Sequence, residues 1–175
     1  PLGGVSVHIY RLIILLKSDG YSVDSFDVSK KQYFKGHVYL RLAVKLLSGR
    51  YSCIHLHLND VHIFKLCFFA KTIYPKTKVF LTSHNPRFLQ SISTSQKQER
   101  KSILSRIDTL IVVSQHILDE YVSNSVRLPD KLFVKDAFLP PPLEEEEVIL
   151  STYPKSLFNF LQNRRPIISS NAFAI

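Results

Sequence analysis

The chain has 175 residues, 45% of them apolar, and a formal net charge of +9, enough material to bury an ordinary core as one domain with a short extension. Apolar, charged and Pro plus Gly fractions close to soluble averages exclude a disordered chain, a collagen-like repeat and a disulfide scaffold. The longest apolar runs, residues 12–16 and 66–70, fall far below the roughly 18 residues that a membrane-spanning helix requires.

The charge is unevenly placed. Residues 1–139 carry 20 Lys and Arg against 10 Asp and Glu, whereas the remainder sets Glu144, Glu145, Glu146 and Glu147 against Lys155, Arg164 and Arg165. So basic a body favours phosphate-bearing partners or an anionic membrane surface, or simply presents solvated lysines. Cys53 and Cys67 both fall in apolar runs and read as buried free thiols of a reducing compartment. With no signal-peptide pattern and no Asn-x-Ser/Thr site, the expected location is the cytoplasm, peripheral on the inner face of the membrane.

In chain order, Pro1 and the lack of any methionine mark an interrupted beginning. Val5, Ile9, Leu12 and Leu16 recur at helical spacing, so Gly3 and Gly4 open a helix directly. In an α/β pattern such a turn follows a strand, and a first, central strand is expected to be missing. Asp19-Gly20 stops the helix, and Tyr21, Val23, Phe26 and Val28 predict a short strand. A lysine-rich loop precedes a helix over 38–47 and an alternating strand over 53–58. Asp60 is placed to cap an almost wholly apolar helix to Ile73, as a crossover helix between parallel strands requires. A strand over 79–82 runs into Ser83-His84-Asn85-Pro86.

Residues 88–96, rich in Ser, Thr and Gln, predict a mobile loop, and 97–106 a polar helix. A strand over 109–113 leads through Ser114 into a helix to Val122, and 132–134 predicts a further strand. Pro140-Pro141-Pro142 predicts a linker. The domains expected are thus 1–139, Rossmann-like; 140–165, a Pro/Glu linker and helix; and 166–175, with Ile167-Ile168, the first strand of a truncated second Rossmann domain. The fold class is α/β, a parallel sheet flanked by helices.

For chemistry, the five glycines form neither a Walker loop nor Gly-x-Gly-x-x-Gly, and the cysteines have no histidine pair at zinc spacing, so no metal and no cofactor is expected. Gly3 and Gly4 bring backbone N–H groups close to a phosphate or make a tight strand-to-helix turn. His84 stands at the carboxyl end of a strand, where α/β folds place ligands. It donates to a sugar hydroxyl or carries a proton, unless it serves its own Asn85-Pro86 turn. His57 occupies the matching position on the preceding strand, with His55 deeper and structural. Ser114 reads as an N-cap or a pocket hydroxyl. Lys97, Arg100, Lys101 and Arg106 hold a phosphorylated acceptor or form a solvated helix face.

Together these segments resemble family 4 retaining glycosyltransferases of the GT-B type. Pro1-Leu2-Gly3-Gly4-Val5 resembles that family's glycine-rich loop, His57 ends a strand of its His-x-His type, and Phe80-Leu81-Thr82-Ser83-His84 is similar to its Thr-x-His strand. Leu110 to Ser114 resembles its Val-x-x-Ser strand, and Asp136-Ala137-Phe138-Leu139-Pro140-Pro141 the approach to its second domain. The resemblance implies metal-independent transfer from a nucleotide-sugar to a lipid-linked or polysaccharide acceptor, with retained configuration. It implies His84 against the donor sugar as the catalytic contact, Gly3 and Gly4 near the diphosphate, and His57, Asn85 and Ser114 lining the acceptor side. The second domain's phosphate clamp and Glu-x7-Glu motif are not within these residues, so this half is expected to be inactive alone. A non-catalytic Rossmann-like binding module, or half of a sugar-nucleotide epimerase, are the competing expectations, with no nucleic acid as partner.

Overall fold

A computed structural model describes residues 4–28, 35–58, 60–90, 92–135, 146–151 and 155–156. The chain divides into two compact units, Pro1–Phe138 and Leu139–Ile175. In the first unit, β/α alternation yields helices α1 (Gly4–Ser18) and α2 (Lys35–Gly49), strand β1 (Cys53–Leu56), helix α3 (Val61–Ile73) and strand β2 (Lys78–Ser83). A single 3-10 turn, Pro86–Phe88, leads to α4 (Thr94–Leu104), β3 (Thr109–Val112), α5 (Gln115–Ser123) and β4 (Lys131–Val134). The four strands form one parallel sheet in the order β1-β2-β3-β4, flanked by five helices, a Rossmann-like α/β arrangement. In the second unit the described helix is α6 (Glu146–Ser151), which begins within the glutamate run. Pro140 to Pro142 and the strand expected at Ile167-Ile168 lie outside the described residues.

Because side chains alternate along a strand, the register fixes what each face of the sheet carries. Leu56 pairs with Leu81 and Leu81 with Leu110, which puts Leu56, Val79, Leu81, Leu110 and Val112 on one face, all buried. Against that face lie Ile63, Phe64, Cys67 and Phe68 of α3, Ile103 and Leu104 of α4, and Ile117 and Tyr121 of α5, with Leu42 and Leu46 of α2 completing the cluster. Each large apolar side chain buried in this way stabilises the fold by roughly 1.5–3 kcal/mol. The opposite face carries His55, Phe80, Thr82, Thr109 and Ile111, and is the more polar of the two.

Local chemistry sets the boundaries. Gly20, at φ +85°, ends α1 in a Schellman motif, with Tyr21 N–H donating to the Leu16 carbonyl and Gly20 N–H to Lys17. Asp60 caps α3 by accepting from the N–H groups of His62 and Ile63, and Ser93 with Gln96 forms a capping box at the start of α4. Asp108 extends the sheet with a side chain. Its carboxylate accepts from the Val79 N–H at 2.8 Å and pairs with Lys71 at 2.6 Å. Burial pushes this carboxyl up, and the hydrogen bonds from Lys71 and Val79 outweigh it, leaving Asp108 below the usual carboxylate range.

Three expectations are corrected. Residues 21–28 form no strand, because Phe26 and Val28 satisfy their apolar pattern by packing on the core without entering a ladder. Within 88–96, the described residues 88–90 and 92–96 are not the exposed loop expected. Phe88 and Leu89 are buried, Arg100 lies over the Phe88 ring at 5.1 Å and donates to its carbonyl at 2.6 Å, and α4 already begins at Thr94. Cys53 is exposed at the start of β1, while Cys67 is buried as expected.

Candidate functional site

The carboxyl ends of β1 and β2 carry His57 and His84, which point to the polar face of the sheet. Nδ1 of His57 and Nε2 of His84 are 3.1 Å apart, a hydrogen bond in which one ring donates and the other accepts. His8, from the second turn of α1, completes the group. Its ring centroid lies 5.2 Å from that of His84 and 5.7 Å from that of His57. Behind them His55 stacks at 4.3 Å on His57, and its Nε2 is 2.8 Å from the Thr82 hydroxyl. Four imidazoles from three elements thus share one end of the sheet.

Crowding sets their protonation. Burial, followed by repulsion from His55, His84 and His8, pushes His57 down to about 3. Burial, then His8 and His84, pushes His55 down to about 4, and burial with His8 lowers His84. Near neutral pH these three rings are uncharged, and each offers one donor and one acceptor nitrogen.

The turn after β2 is held from below. The Ser83 hydroxyl is 3.2 Å from the Asn85 carbonyl and 2.8 Å from the Tyr121 hydroxyl. A carbonyl only accepts, so Ser83 spends its one proton on Asn85 and Tyr121 donates to Ser83. Tyr121 and Ser83 are both buried. This chain of bonds from α5 fixes the backbone on either side of His84.

The remaining expected residues are placed differently from the histidine pair. Asn85 is exposed, and its side-chain oxygen accepts from the Arg87 N–H, which makes it the turn residue of this corner. Ser114 follows β3 at the N-cap position of α5 but makes no side-chain capping bond, so the expected capping role is corrected. Gly4 begins α1, and a Cβ there would meet nothing within 4 Å, while Gly3 lies outside the described residues. Of the basic cluster, Arg100 binds Phe88 and Arg106 lies over the Phe68 ring at 4.4 Å, so both serve packing. An open depression of about 350 Å³, lined by Asp60, His62, Lys65, Gln96, Glu99 and Arg100, sits at the α3 and α4 N-terminal region instead.

His8 is the residue that sequence reasoning missed. It falls three residues after Val5 and four before Leu12, on the apolar stripe of α1, but nothing in that spacing ties it to His57 or His84. No model of a known protein family and no curated protein matches this chain. No helix among the described residues is long and apolar enough to cross a membrane.

Proposed function

We propose that this chain is the acceptor-side half of a retaining glycosyltransferase of the GT-B type, which moves a sugar from a nucleotide-sugar to a lipid-linked or polysaccharide acceptor. The observation that carries the reading is the pair His57 and His84, in contact at the carboxyl ends of adjacent parallel strands, where α/β sheets bind ligands. His84 hydrogen-bonds the donor sugar near the reacting carbon, and His57 holds the His84 ring in one tautomer and orientation. Gly4, with open space about it, lets the start of α1 approach the donor diphosphate. The basic body favours anionic donors, acceptors and an anionic membrane surface.

Catalysis of this kind stabilises a cationic sugar and a leaving diphosphate inside a water-poor cleft, which takes donors from two domains. The test is sugar transfer by the intact gene product, assayed against a panel of nucleotide-sugars. His84→Ala is expected to lower kcat by roughly 100-fold or more, as for removal of one preorganised donor, with the melting temperature little changed. Near-normal turnover in a folded variant rejects the role of His84. Robust transfer by the 175 residues alone rejects the half-enzyme reading.

A further inference from the structure

Three imidazoles from three separate elements converge at the end of the sheet, and one ligand atom from each of His8, His57 and His84 lies within 4.8 Å of the others. The closest pair, at 3.1 Å, already has the spacing of neighbouring ligands, since metal–nitrogen bonds of about 2.0–2.1 Å at a tetrahedral angle set donors about 3.3 Å apart. All three rings are part-buried, open enough to admit an ion. His57 and His84 leave the ends of hydrogen-bonded strands, so two ligands are held on rigid scaffold, and the third comes from His8 on α1, with a ring nitrogen within 4.8 Å of both. His55, bonded to Thr82, packs its ring against His57 from behind.

We propose that His8, His57 and His84 bind one divalent late-transition-metal ion, with Zn2+ the expected occupant. Neutral imidazoles suit Zn2+, Cu2+, Ni2+ and Co2+, whereas Mg2+ and Ca2+ call for oxygen donors that this trio does not supply. On binding, the ion takes the place of the proton shared between His57 Nδ1 and His84 Nε2. The ring that carried that proton on its facing nitrogen moves it, through water, to its opposite nitrogen, so each imidazole stays neutral and gives one lone pair. Three protein ligands leave a fourth position for water or an anionic oxygen. The proposal stands apart from the transferase reading, because uptake of metal reports the imidazoles directly and requires no transfer. Where both hold, Zn2+ and the donor sugar compete for His84.

The test is calorimetric titration of the chelator-stripped 175-residue chain with Zn2+, alongside the visible spectrum with Co2+. One ion per chain is expected, with a four-coordinate Co2+ spectrum free of thiolate charge-transfer bands. His8→Ala is expected to weaken binding by at least about 10-fold, and His116→Ala, on the exposed surface of α5, to leave it unchanged. Circular dichroism of each apo variant checks its fold. In the unmutated chain, Zn2+ should shift the imidazole nitrogen resonances of His8, His57 and His84 and spare those of His62 and His116, a readout that needs no variant. Absence of stoichiometric uptake, equal affinity in folded His8→Ala, thiolate bands, or unshifted resonances of the three rings would each overturn the site.

Discussion

Acidification should destabilise this protein through its histidines before its carboxylates titrate. In the unfolded chain His55 and His57 take up protons around 6.5, whereas in the fold they do so only at about 4 and about 3. Between those values the unfolded state holds more protons, so stability is fully present above pH 6.5 and is lost as the pH falls toward the folded values. Each pH unit below 6.5 is worth about 1.4 kcal/mol per site, which gives about 4 kcal/mol for the two sites between pH 6.5 and pH 5. The rings are half-buried, so water screening reduces this by about half, to roughly 2 kcal/mol. Ordinary carboxylates remain largely ionised over that window, which assigns the slope to histidine. The assay is urea unfolding in chelator at several pH values from 7 to 5, on the wild type and on His55→Asn/His57→Asn. The double variant should show a clearly flatter dependence. Equal slopes in the two proteins, or a wild type that gains stability on acidification, would refute the reasoning.

Two further outcomes follow from single residues. Asp108→Ala should destabilise the fold by about 3 kcal/mol, because Lys71 and the Val79 N–H lose a part-buried partner, whereas Lys78→Ala, whose nitrogen is 3.5 Å from Asp108 on an exposed side chain, should change stability by less than about 0.5 kcal/mol; chemical denaturation reads both. Tyr121→Phe should lower stability by about 1 kcal/mol and loosen the turn that carries His84, visible as faster amide exchange at Asn85 and Arg87.

The β/α rhythm was legible because each crossover helix and strand announces its period, and the apolar run of 61–73 and the strands at 53, 79 and 109 all lie where the pattern placed them. Residues 21–28 show the limit of periodicity. An alternating pattern says which side chains seek cover, and Phe26 and Val28 find it against the core cluster without entering a strand. Phe88 was hidden by its polar surroundings in sequence, because its burial depends on an arginine twelve residues away that covers its ring and bonds its carbonyl. The pairing of His57 with His84 followed from equivalent positions on adjacent strands. His8 did not, because α1 meets the sheet end through tertiary contact, and no linear spacing connects positions 8, 57 and 84.

The alternation along β1 also governs which changes in chain length the protein tolerates. Ile54 and Leu56 face one way, Cys53 and His55 the other, and β1 has only four residues in which to absorb a shift. A codon gained or lost within 53–56 would reverse the sides downstream of the change, carrying imidazoles toward Phe64 and Phe68 and aliphatic carbons toward His84. The same event in the segment ahead of α2 leaves both faces intact. Among length variants of this chain, insertions and deletions should therefore be borne outside 53–56, while substitutions within the strand remain open to selection one side at a time.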